Sequence, residues 1–209
     1  MNKQNAAKIT ELLKKEYPEA ICSLSYKKPH ELLIATRLAA QCTDARVNIV
    51  TPALFARFTS PQEFADAEVS EVEELIASCG LFKTKARDII EMCKRLVEVY
   101  GGNVPDTMEE LLTLRGVGRK TANLILGDVY GKPAVVTDTH CIRIANRLGL
   151  ASSKDPKKVE DSLRELIEPM EQNDFCHRIV LHGRAVCSAR APKCDECTLN
   201  TVCPKNGVK

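Results

Sequence analysis

The sequence contains no long apolar run and begins with no signal peptide. A helix that spans a bilayer needs about 20 predominantly apolar residues, and a secretory signal combines a basic start with an apolar stretch. Because both features are missing, the sequence predicts a soluble, cytoplasmic protein without a membrane partner.

Segments of alternating apolar and polar residues, typical of half-buried strands, are also nearly absent. Apolar residues instead recur at helical spacing, as in residues 2–17 and 83–100. Residues that suit the start or the end of a helix bound these segments. Predicted starts are Pro29, Pro61, Asp106 (with Glu109), Asp155 and Asp174, and predicted ends are Gly80 and Gly101. The sequence therefore predicts an all-α protein, large enough at 209 residues for one domain or two small ones.

The net charge of +2 is too small to indicate a nucleic-acid partner by itself. The charges are unevenly distributed, however, because residues 115–147 and residues 176–209 each hold six Lys or Arg and two acidic residues. A basic surface on a slightly acidic body is typical of proteins that bind a phosphate backbone. A solvated basic tail is the alternative that charge alone leaves open.

Two glycines lie in the segment from Leu114 to Lys120, which leads directly into a predicted helix. Gly116 and Gly118 can adopt positive φ, so the turn can direct successive N–H groups outward. The following helix adds its unpaired first-turn N–H groups and the positive end of its dipole. This combination predicts an anion seat, and phosphate is the obvious anion.

Lys120 lies at the mouth of this turn, and Asp138 follows 18 residues later at the start of another predicted helix. An amine and a carboxylate placed in this way could face each other across a cleft. Two simpler interpretations stay open at this point. Lys120 could be a plain phosphate contact, and Asp138 could be a helix N-cap.

Ten cysteines occur in a chain expected in a reducing compartment, where disulfides are disfavoured. Six are scattered among apolar neighbours and are expected to be small buried hydrophobic residues. The other four, with the spacing C-x6-C-x2-C-x5-C, are Cys187, Cys194, Cys197 and Cys203. Four thiolates this close can hold a zinc ion or a [4Fe–4S] cluster. Zinc ribbons usually contain two C-x2-C pairs, and one such pair is present here.

The segment from Leu114 to Asn123, together with Asp138 and the four-cysteine spacing, resembles the endonuclease III family. Members of this family are helix-hairpin-helix iron–sulfur DNA glycosylases that also act as lyases at abasic sites. The resemblance extends over essentially the whole chain. One departure is Arg115, because such hairpins commonly carry proline before the first glycine. Arginine restricts φ less than proline does and adds a charge.

The resemblance implies two helical domains that flank a DNA-binding cleft. One would be residues 22–133 with the hairpin, and the other residues 1–21 and 134–209 with the cluster loop. No linker composition marks these boundaries. The resemblance also implies a [4Fe–4S] cluster on the four cysteines. Its minimum role would be structural, since base removal requires no electron transfer.

The function that the resemblance implies is excision of oxidised pyrimidines from duplex DNA, by a monomer associated with the nucleoid. Lys120 would attack the anomeric carbon of the deoxyribose and form a Schiff base. β-Elimination would then cut the strand 3′ to the abasic site. Lys120 must first lose a proton, which Arg115 and Arg119 could favour by lowering its pKa. Asp138 could accept that proton or stabilise positive charge on the sugar.

Ten residues are expected to contact DNA. Gln41 and Leu81 match the family residues that fill the space left by an extruded base. Without the resemblance, an exposed helix end and a core contact would be the simpler interpretations. The hairpin and the basic residues near it or in the cluster loop are expected to bind phosphates. These residues are Gly116, Gly118, Arg119, His140, Arg143, Arg147, Arg190 and Lys193. Arg147 could equally form a surface salt bridge.

Two other functions stay open. A monofunctional mismatch glycosylase of the same superfamily would lack the lyase step, but its relatives replace the hairpin lysine, which is present here as Lys120. A non-catalytic DNA-binding module could use the hairpin for phosphate contacts alone. It would have no need for Lys120, Asp138 and four cysteines together. The sequence therefore favours the bifunctional glycosylase and lyase.

Overall fold

The computed structural model describes residues 2–208, which form helices and loops with no β-strand among them. The prediction of an all-α protein is confirmed. The α-helices are α1 (Lys3–Glu16), α2 (Pro29–Ala39), α3 (Asp44–Arg57), α4 (Pro61–Ala65), α5 (Val69–Leu75), α6 (Phe82–Tyr100), α7 (Met108–Leu111), α8 (Arg119–Asp128), α9 (Thr139–Arg147), α10 (Pro156–Leu166) and α11 (Gln172–Ala185). Short 3-10 turns occur at Pro169–Glu171 and Cys194–Glu196.

The chain divides into two compact units. The first, which we call the hairpin unit, is Ser23–Tyr130 and contains α2 to α8. The second, which we call the cysteine unit, combines the chain up to Cys22 with the chain from Gly131 onward. It contains α1 and α9 to α11. The functional domain boundaries at residues 22 and 133 stay a prediction.

Helix α6 is the centre of the hairpin unit. One face of α6 is fully buried through Ala86, Ile89, Cys93 and Leu96, and α2, α4 and α5 pack against the helix. The helix ends at Gly101, whose φ of 59° is the left-handed conformation that glycine favours at this position. Because this buried face holds α6 in place, the helix also determines where its polar side chains meet α2 and the hairpin.

In the cysteine unit, α1 packs against α10 and α11, and α9 packs against α10 and α11. Helices α9 and α11 approach each other closely at Gly183. A Cβ atom there would lie 2.5 Å from His140 Nδ1 and 2.9 Å from Ile144 Cδ1. Glycine is therefore needed for the close contact between the two helices that flank the cysteine loop.

Some predicted helix boundaries are wrong. Helix α7 begins after Thr107, not Asp106, because the Thr107 hydroxyl accepts the Glu110 N–H at 3.3 Å. Asp174 lies inside α11, where its carboxylate accepts a hydrogen bond from Arg178 at 2.9 Å. The charge of Asp174 is therefore used in an ion pair within the helix and not as a cap.

Two further differences concern the segment before α6 and the helix α3. Leu81, not Gly80, adopts the left-handed conformation, with a φ of 60°. Helix α3 was not predicted, because Pro52 lies in its interior and proline there removes a helical hydrogen bond. Within residues 2–208, no helix has both the length and the apolar character that a membrane span needs.

Candidate functional site

The hairpin turn before α8 uses its two glycines differently. Gly116 has a φ of 77°, and a Cβ there would lie 2.7 Å from Arg37 Cδ. Gly118 is extended (φ −103°, ψ 175°) and is the N-cap of α8. Apart from Gly118 itself and its two neighbours along the chain, no atom of the described residues lies within 4 Å of where a Cβ on Gly118 would be. The fold therefore requires glycine at position 116, whereas position 118 leaves open space beside the backbone.

Lys120 is the second residue of α8 and is exposed. Arg119 is the first residue of the helix. The N-cap Gly118 has no side chain with which to cap the first-turn N–H groups, and these groups carry the positive end of the helix dipole. The predicted anion seat is thus followed directly by an exposed amine.

Arg115, the residue before the first glycine of the turn, has a carboxylate partner. Arg115 Nε donates to Asp88 Oδ1 at 2.9 Å. The positive charge of Arg115 is therefore compensated by a neighbouring carboxylate, and its expected effect on Lys120 stays a prediction.

Gln41 and Leu81 share an unusual backbone conformation. Their φ values are 54° and 60°, and both side chains are exposed, with Leu81 58% accessible. Residues other than glycine adopt positive φ at a cost of about 1–2 kcal/mol. The two segments also lie close together, because a Cβ on Gly80 would be 3.5 Å from the Gln41 carbonyl oxygen. Leu81 is therefore not the core contact that the sequence alone favoured.

The buried Lys85 connects these two segments. Its backbone N–H donates to Leu81 O at 3.0 Å, and its Nζ donates to Leu38 O at 2.7 Å. Leu38 lies near the end of α2, three residues before Gln41. Burial lowers the pKa of Lys85. No local pattern indicates this hydrogen bond, since the carbonyl that accepts from the ammonium group is 47 residues away along the chain.

In the cysteine unit, Asp138 is the N-cap of α9. Its Oδ1 accepts the Cys141 N–H at 2.7 Å, and the side chain is half-buried. The helix start expected at Asp138 is confirmed. Lys120 belongs to the hairpin unit and Asp138 to the cysteine unit.

Arg143 and Arg147 bind the protein's own backbone. Arg143 donates to Cys187 O at 3.0 Å and to Gly183 O at 3.2 Å, and its Nη2 lies 3.1 Å from His140 Nδ1. Arg147 is only 7% exposed and donates to Ser188 O at 2.7 Å and to Ala189 O at 2.9 Å. Both guanidinium groups thus support the segment that follows α11. The contacts with DNA phosphates expected for Arg143 and Arg147 stay a prediction.

The four cysteines of the predicted cluster line one cavity. The cavity contains about 390 Å³ of atom-free space, part of it open to solvent. Its apolar walls include Ile144, Leu148 and Leu199. The cysteines that line it are Cys187, Cys194, Cys197 and Cys203. In residues 2–208, no group of three His, Cys, Asp or Glu side chains is arranged to hold a single metal ion.

Hydrogen-bond donors approach the sulfur atoms from the protein. Arg147 Nη1 lies 3.2 Å from Cys187 Sγ, and the Lys205 N–H lies 3.3 Å from Cys203 Sγ. His182 Nε2 lies 3.5 Å from Cys197 Sγ. Burial raises the pKa of the Cys197 and Cys203 thiols, so a bound metal would have to displace their protons. An all-sulfur donor set with N–H donors fits an iron–sulfur cluster, whose negative sulfurs such donors stabilise.

Arg190 and Lys193 are exposed in the cluster loop, which we define as residues 188–193. Lys193 Nζ lies 3.8 Å from Glu196 Oε2, which is a loose ion pair. The Lys193 N–H donates to Val186 O at 3.0 Å, and Ser188 Oγ donates to Ala191 O at 2.7 Å. The loop backbone is therefore held by its own hydrogen bonds while both basic side chains point to solvent.

Comparison with known proteins places this arrangement in a family. A model of the HhH-GPD superfamily of base excision DNA repair proteins matches residues 34–169. Endonuclease III of Synechocystis sp. is 51% identical over 97% of this chain and 93% of that protein. The chain belongs to the endonuclease III family. Endonuclease III of Escherichia coli strain K12 is 37% identical over 97% of this chain and 96% of that protein.

Solved structures of the endonuclease III family agree with this assignment. A trapped endonuclease III–DNA covalent intermediate, an estranged-adenine complex, is 39% identical with a TM-score of 0.92. The match covers 99% of this chain and 97% of that chain. A thermostable thymine-DNA glycosylase, 20% identical with a TM-score of 0.89 over 97% of each chain, shares the fold. Membership of the endonuclease III family makes this chain a DNA glycosylase of base excision repair that binds DNA.

Proposed function

We propose that this glycosylase is bifunctional and excises oxidised pyrimidines from duplex DNA, then cleaves the strand at the abasic site. The observation that carries the proposal is the position of Lys120, an exposed amine on the second residue of α8, directly behind the glycine turn. A phosphate bound by the N–H groups of that turn would place the adjoining deoxyribose next to the amine. The alternative monofunctional glycosylase has no use for an amine there.

In this proposal, Lys120 acts as the nucleophile. Its neutral Nζ attacks the anomeric carbon as the bond between that carbon and the base breaks. Cleavage of the bond between the anomeric carbon and the ring oxygen then gives a Schiff base. The positively charged iminium acidifies the proton on the neighbouring sugar carbon. Removal of that proton expels the 3′ phosphate by β-elimination, and hydrolysis of the imine then releases Lys120.

We assign the proton-accepting or charge-stabilising role to Asp138. The carboxylate already accepts a backbone N–H at the start of α9. This hydrogen bond holds the Asp138 side chain in a defined orientation, which suits stabilisation of positive charge on a sugar.

We further propose that Cys187, Cys194, Cys197 and Cys203 bind a [4Fe–4S] cluster. The four thiols line a cavity with apolar walls, and each cysteine of such a cluster binds a different iron. The cluster would supply a rigid centre for the loop that carries Arg190 and Lys193. We expect the protein to act as a cytoplasmic monomer on duplex DNA, with Gln41 and Leu81 at the site of the extruded base.

Borohydride trapping tests the lyase mechanism. Duplex DNA with one oxidised pyrimidine is incubated with the wild-type protein and borohydride, which reduces the Schiff base to a stable covalent adduct. We expect an adduct with the wild-type protein and none with Lys120→Gln, while the affinity for an uncleavable duplex stays within a few-fold. The N–H groups of the turn account for the retained affinity, because the substitution leaves them in place.

Lys157→Gln is the matched control, because Lys157 is a half-exposed lysine that pairs with Asp161 on α10. This variant should trap as the wild type does. An adduct that persists in Lys120→Gln would identify another amine as the nucleophile. Base release without any adduct in the wild-type protein would favour the monofunctional glycosylase.

A further inference from the structure

A buried carboxylate on α6 receives hydrogen bonds from two arginines in the hairpin unit. Asp88 Oδ2 accepts from Arg37 Nε at 2.9 Å and from Arg37 Nη2 at 2.6 Å. Asp88 Oδ1 accepts from Arg115 Nε at 2.9 Å. The Asp88 side chain is 8% exposed, that of Arg37 14% and that of Arg115 70%. We call these three residues the Asp88 cluster.

The Asp88 cluster is in direct contact with the hairpin turn. A Cβ on Gly116 would lie 2.7 Å from Arg37 Cδ, 2.8 Å from Arg37 Nε and 3.5 Å from Asp88 Oδ2. Gly116 therefore packs against Arg37, and Arg115 is hydrogen-bonded to Asp88. Two consecutive residues of the turn are held by groups on α2 and α6.

Both guanidinium groups stabilise the ionised form of Asp88. Burial alone would raise the pKa of Asp88, but hydrogen bonds from Arg115 and Arg37 outweigh this effect and the pKa is lowered. The carboxylate is therefore ionised near neutral pH. A buried carboxylate that accepts hydrogen bonds from two guanidinium groups has a more defined geometry than an exposed ion pair does.

Arg115 occupies the position where hairpins of this type commonly carry proline. Proline would limit φ through its ring, which arginine cannot do. Arginine can instead anchor the backbone through its side chain, and Asp88 provides the acceptor. The turn is thus restrained by an ion pair with α6 at the position where a ring would otherwise restrain it.

We propose that Asp88 and Arg37 are positioning residues that hold the hairpin turn, through Arg115 and Gly116, in the conformation that binds DNA. This inference rests on the proposed function, in which the turn binds a phosphate and presents Lys120. Asp88 and Arg37 act through the turn and not on the substrate. The competing account is that Arg115, which is largely exposed, contacts a DNA phosphate directly.

The two accounts predict opposite effects of Asp88→Asn. If Asp88 positions the turn, then Asp88→Asn weakens binding, because Arg115 loses its anchor. If Arg115 is a phosphate contact, then Asp88→Asn leaves binding unchanged or strengthens it, because the substitution removes a competing anion and leaves a freed cation. Arg115→Gln weakens binding in both accounts and therefore serves as the reference.

The experiment measures the affinity for a duplex with an uncleavable abasic-site analogue at several salt concentrations. The variants are Asp88→Asn, Arg115→Gln, the double variant and Arg115→Pro. We expect Asp88→Asn and Arg115→Gln each to bind the duplex about tenfold more weakly than the wild type. The double variant should bind no more weakly than either single variant, because both substitutions break the same ion pair. Arg115→Pro should recover most of the affinity that Arg115→Gln loses, and adding Asp88→Asn to it should change little.

Unfolding temperatures and a matched control separate positioning from general damage. Lys94→Gln removes an exposed ion pair with Glu91 on the same helix and should leave affinity unchanged. If Asp88→Asn unfolds the protein, the affinities of Arg115→Pro and Arg115→Gln still distinguish the two accounts. Proline can restrain the turn, but it restores no positive charge that could contact a phosphate. Recovery by proline supports the positioning role, and equal weakness of the two variants overturns it.

The same preparations distinguish this inference from the proposed function. Borohydride trapping by the wild-type protein tests the Schiff base mechanism, whatever the variants do. A wild-type protein that traps, with Asp88→Asn binding as tightly as the wild type, would refute the positioning role alone. A wild-type protein that binds the duplex but never traps would refute the lyase, while the affinities of the variants would still test the Asp88 cluster.

Discussion

Asp138 is a single residue in which a structural and a chemical role can coincide. Its Oδ1 caps α9 by accepting the Cys141 N–H. Asparagine caps helices as well as aspartate does, and its side-chain oxygen can occupy the same position. The substitution Asp138→Asn therefore removes the charge while it keeps the cap.

We expect Asp138→Asn to slow base release by roughly two to four orders of magnitude, the usual worth of a general base or electrostatic stabiliser. The rate is measured in single turnover with excess enzyme, and the unfolding temperature is measured in parallel. Asp155→Asn is a matched control, because Asp155 likewise caps α10 by accepting the Lys158 N–H at 2.9 Å. Near-normal turnover in Asp138→Asn would leave the residue as a cap only.

Single residues also show how far the sequence could predict the site. The start of α9 at Asp138 and the start of α8 behind the glycine turn were predictable, because caps and turns depend on neighbours along the chain. The partners of Arg115 and Arg147 were not. Asp88 lies 27 residues from Arg115, and Ser188 lies 41 residues from Arg147. Charge spacing indicates a cation but not the anion or carbonyl that folding brings to it.

At the scale of elements, α1 is joined to α11 through one carboxylate. Glu171 accepts from Lys14 at 2.7 Å and from Arg178 at 3.0 Å. Arg178 is buried, whereas Lys14 is about half exposed. The hydrogen bond from Lys14, together with the one from Arg178, lowers the pKa of Glu171 below its usual value of 4.5. A carboxyl group with a lowered pKa stabilises the fold only while it is ionised.

Glu171→Gln should therefore lower the free energy of unfolding at neutral pH, by about 1–2 kcal/mol for the loss of a charged hydrogen bond. The difference from the wild type should be fully present above pH 4.5 and should disappear as the pH falls through the lowered pKa of Glu171. Denaturant unfolding at a series of pH values measures it. Glu91→Gln, which breaks an exposed pair on α6, should show little effect. A loss of stability in Glu171→Gln that is equal at all pH values would exclude the ionised pair as its cause.

The cluster loop is the second element with a separate role. If Lys193 binds a phosphate, Lys193→Glu should weaken binding to damaged and undamaged duplexes alike, because phosphate contacts position without specifying sequence. The slope of log affinity against log salt should fall by roughly 0.9 for each phosphate that the variant no longer neutralises. Single-turnover rates at saturating enzyme should stay normal, because Lys120 and Asp138 are unchanged. An unchanged slope in a protein with its full metal content would remove the loop from the DNA interface.

Elements with strong periodicity were predictable, and those with local exceptions were not. Helix α6 was predicted because its apolar residues recur at helical spacing over 19 residues. Helix α3 was missed because Pro52 argues locally against a helix, while Val47 and Leu54 are buried in the unit and stabilise one. The φ values of Gln41 and Leu81 were also beyond the sequence. Neither residue favours positive φ, so the surrounding packing must impose it.

For the whole molecule, the proposed cluster connects separate parts of the cysteine unit. Its cavity is lined by the end of α9, the end of α11 and the segment up to Val208. Arg147 of α9 donates to Cys187 Sγ and to three successive carbonyls, those of residues 187–189. A metal centre there would hold these segments together, because metal binding of this type contributes directly to folding.

The metal content distinguishes a [4Fe–4S] cluster from a zinc ion, the two metal centres that four cysteines can bind. We expect a yellow-brown protein with about four irons per chain, as a [4Fe–4S] cluster requires. Oxidative loss of the cluster should lower the unfolding temperature and weaken duplex binding, because Arg190 and Lys193 lie between two of its ligands. Cys187→Ser should lose iron and stability, whereas Cys93→Ser on α6, which belongs to the other unit, should keep the iron. A colourless protein prepared without oxygen, with one zinc per chain, would overturn the assignment, since one ion on four thiolates is the alternative that the spacing leaves open.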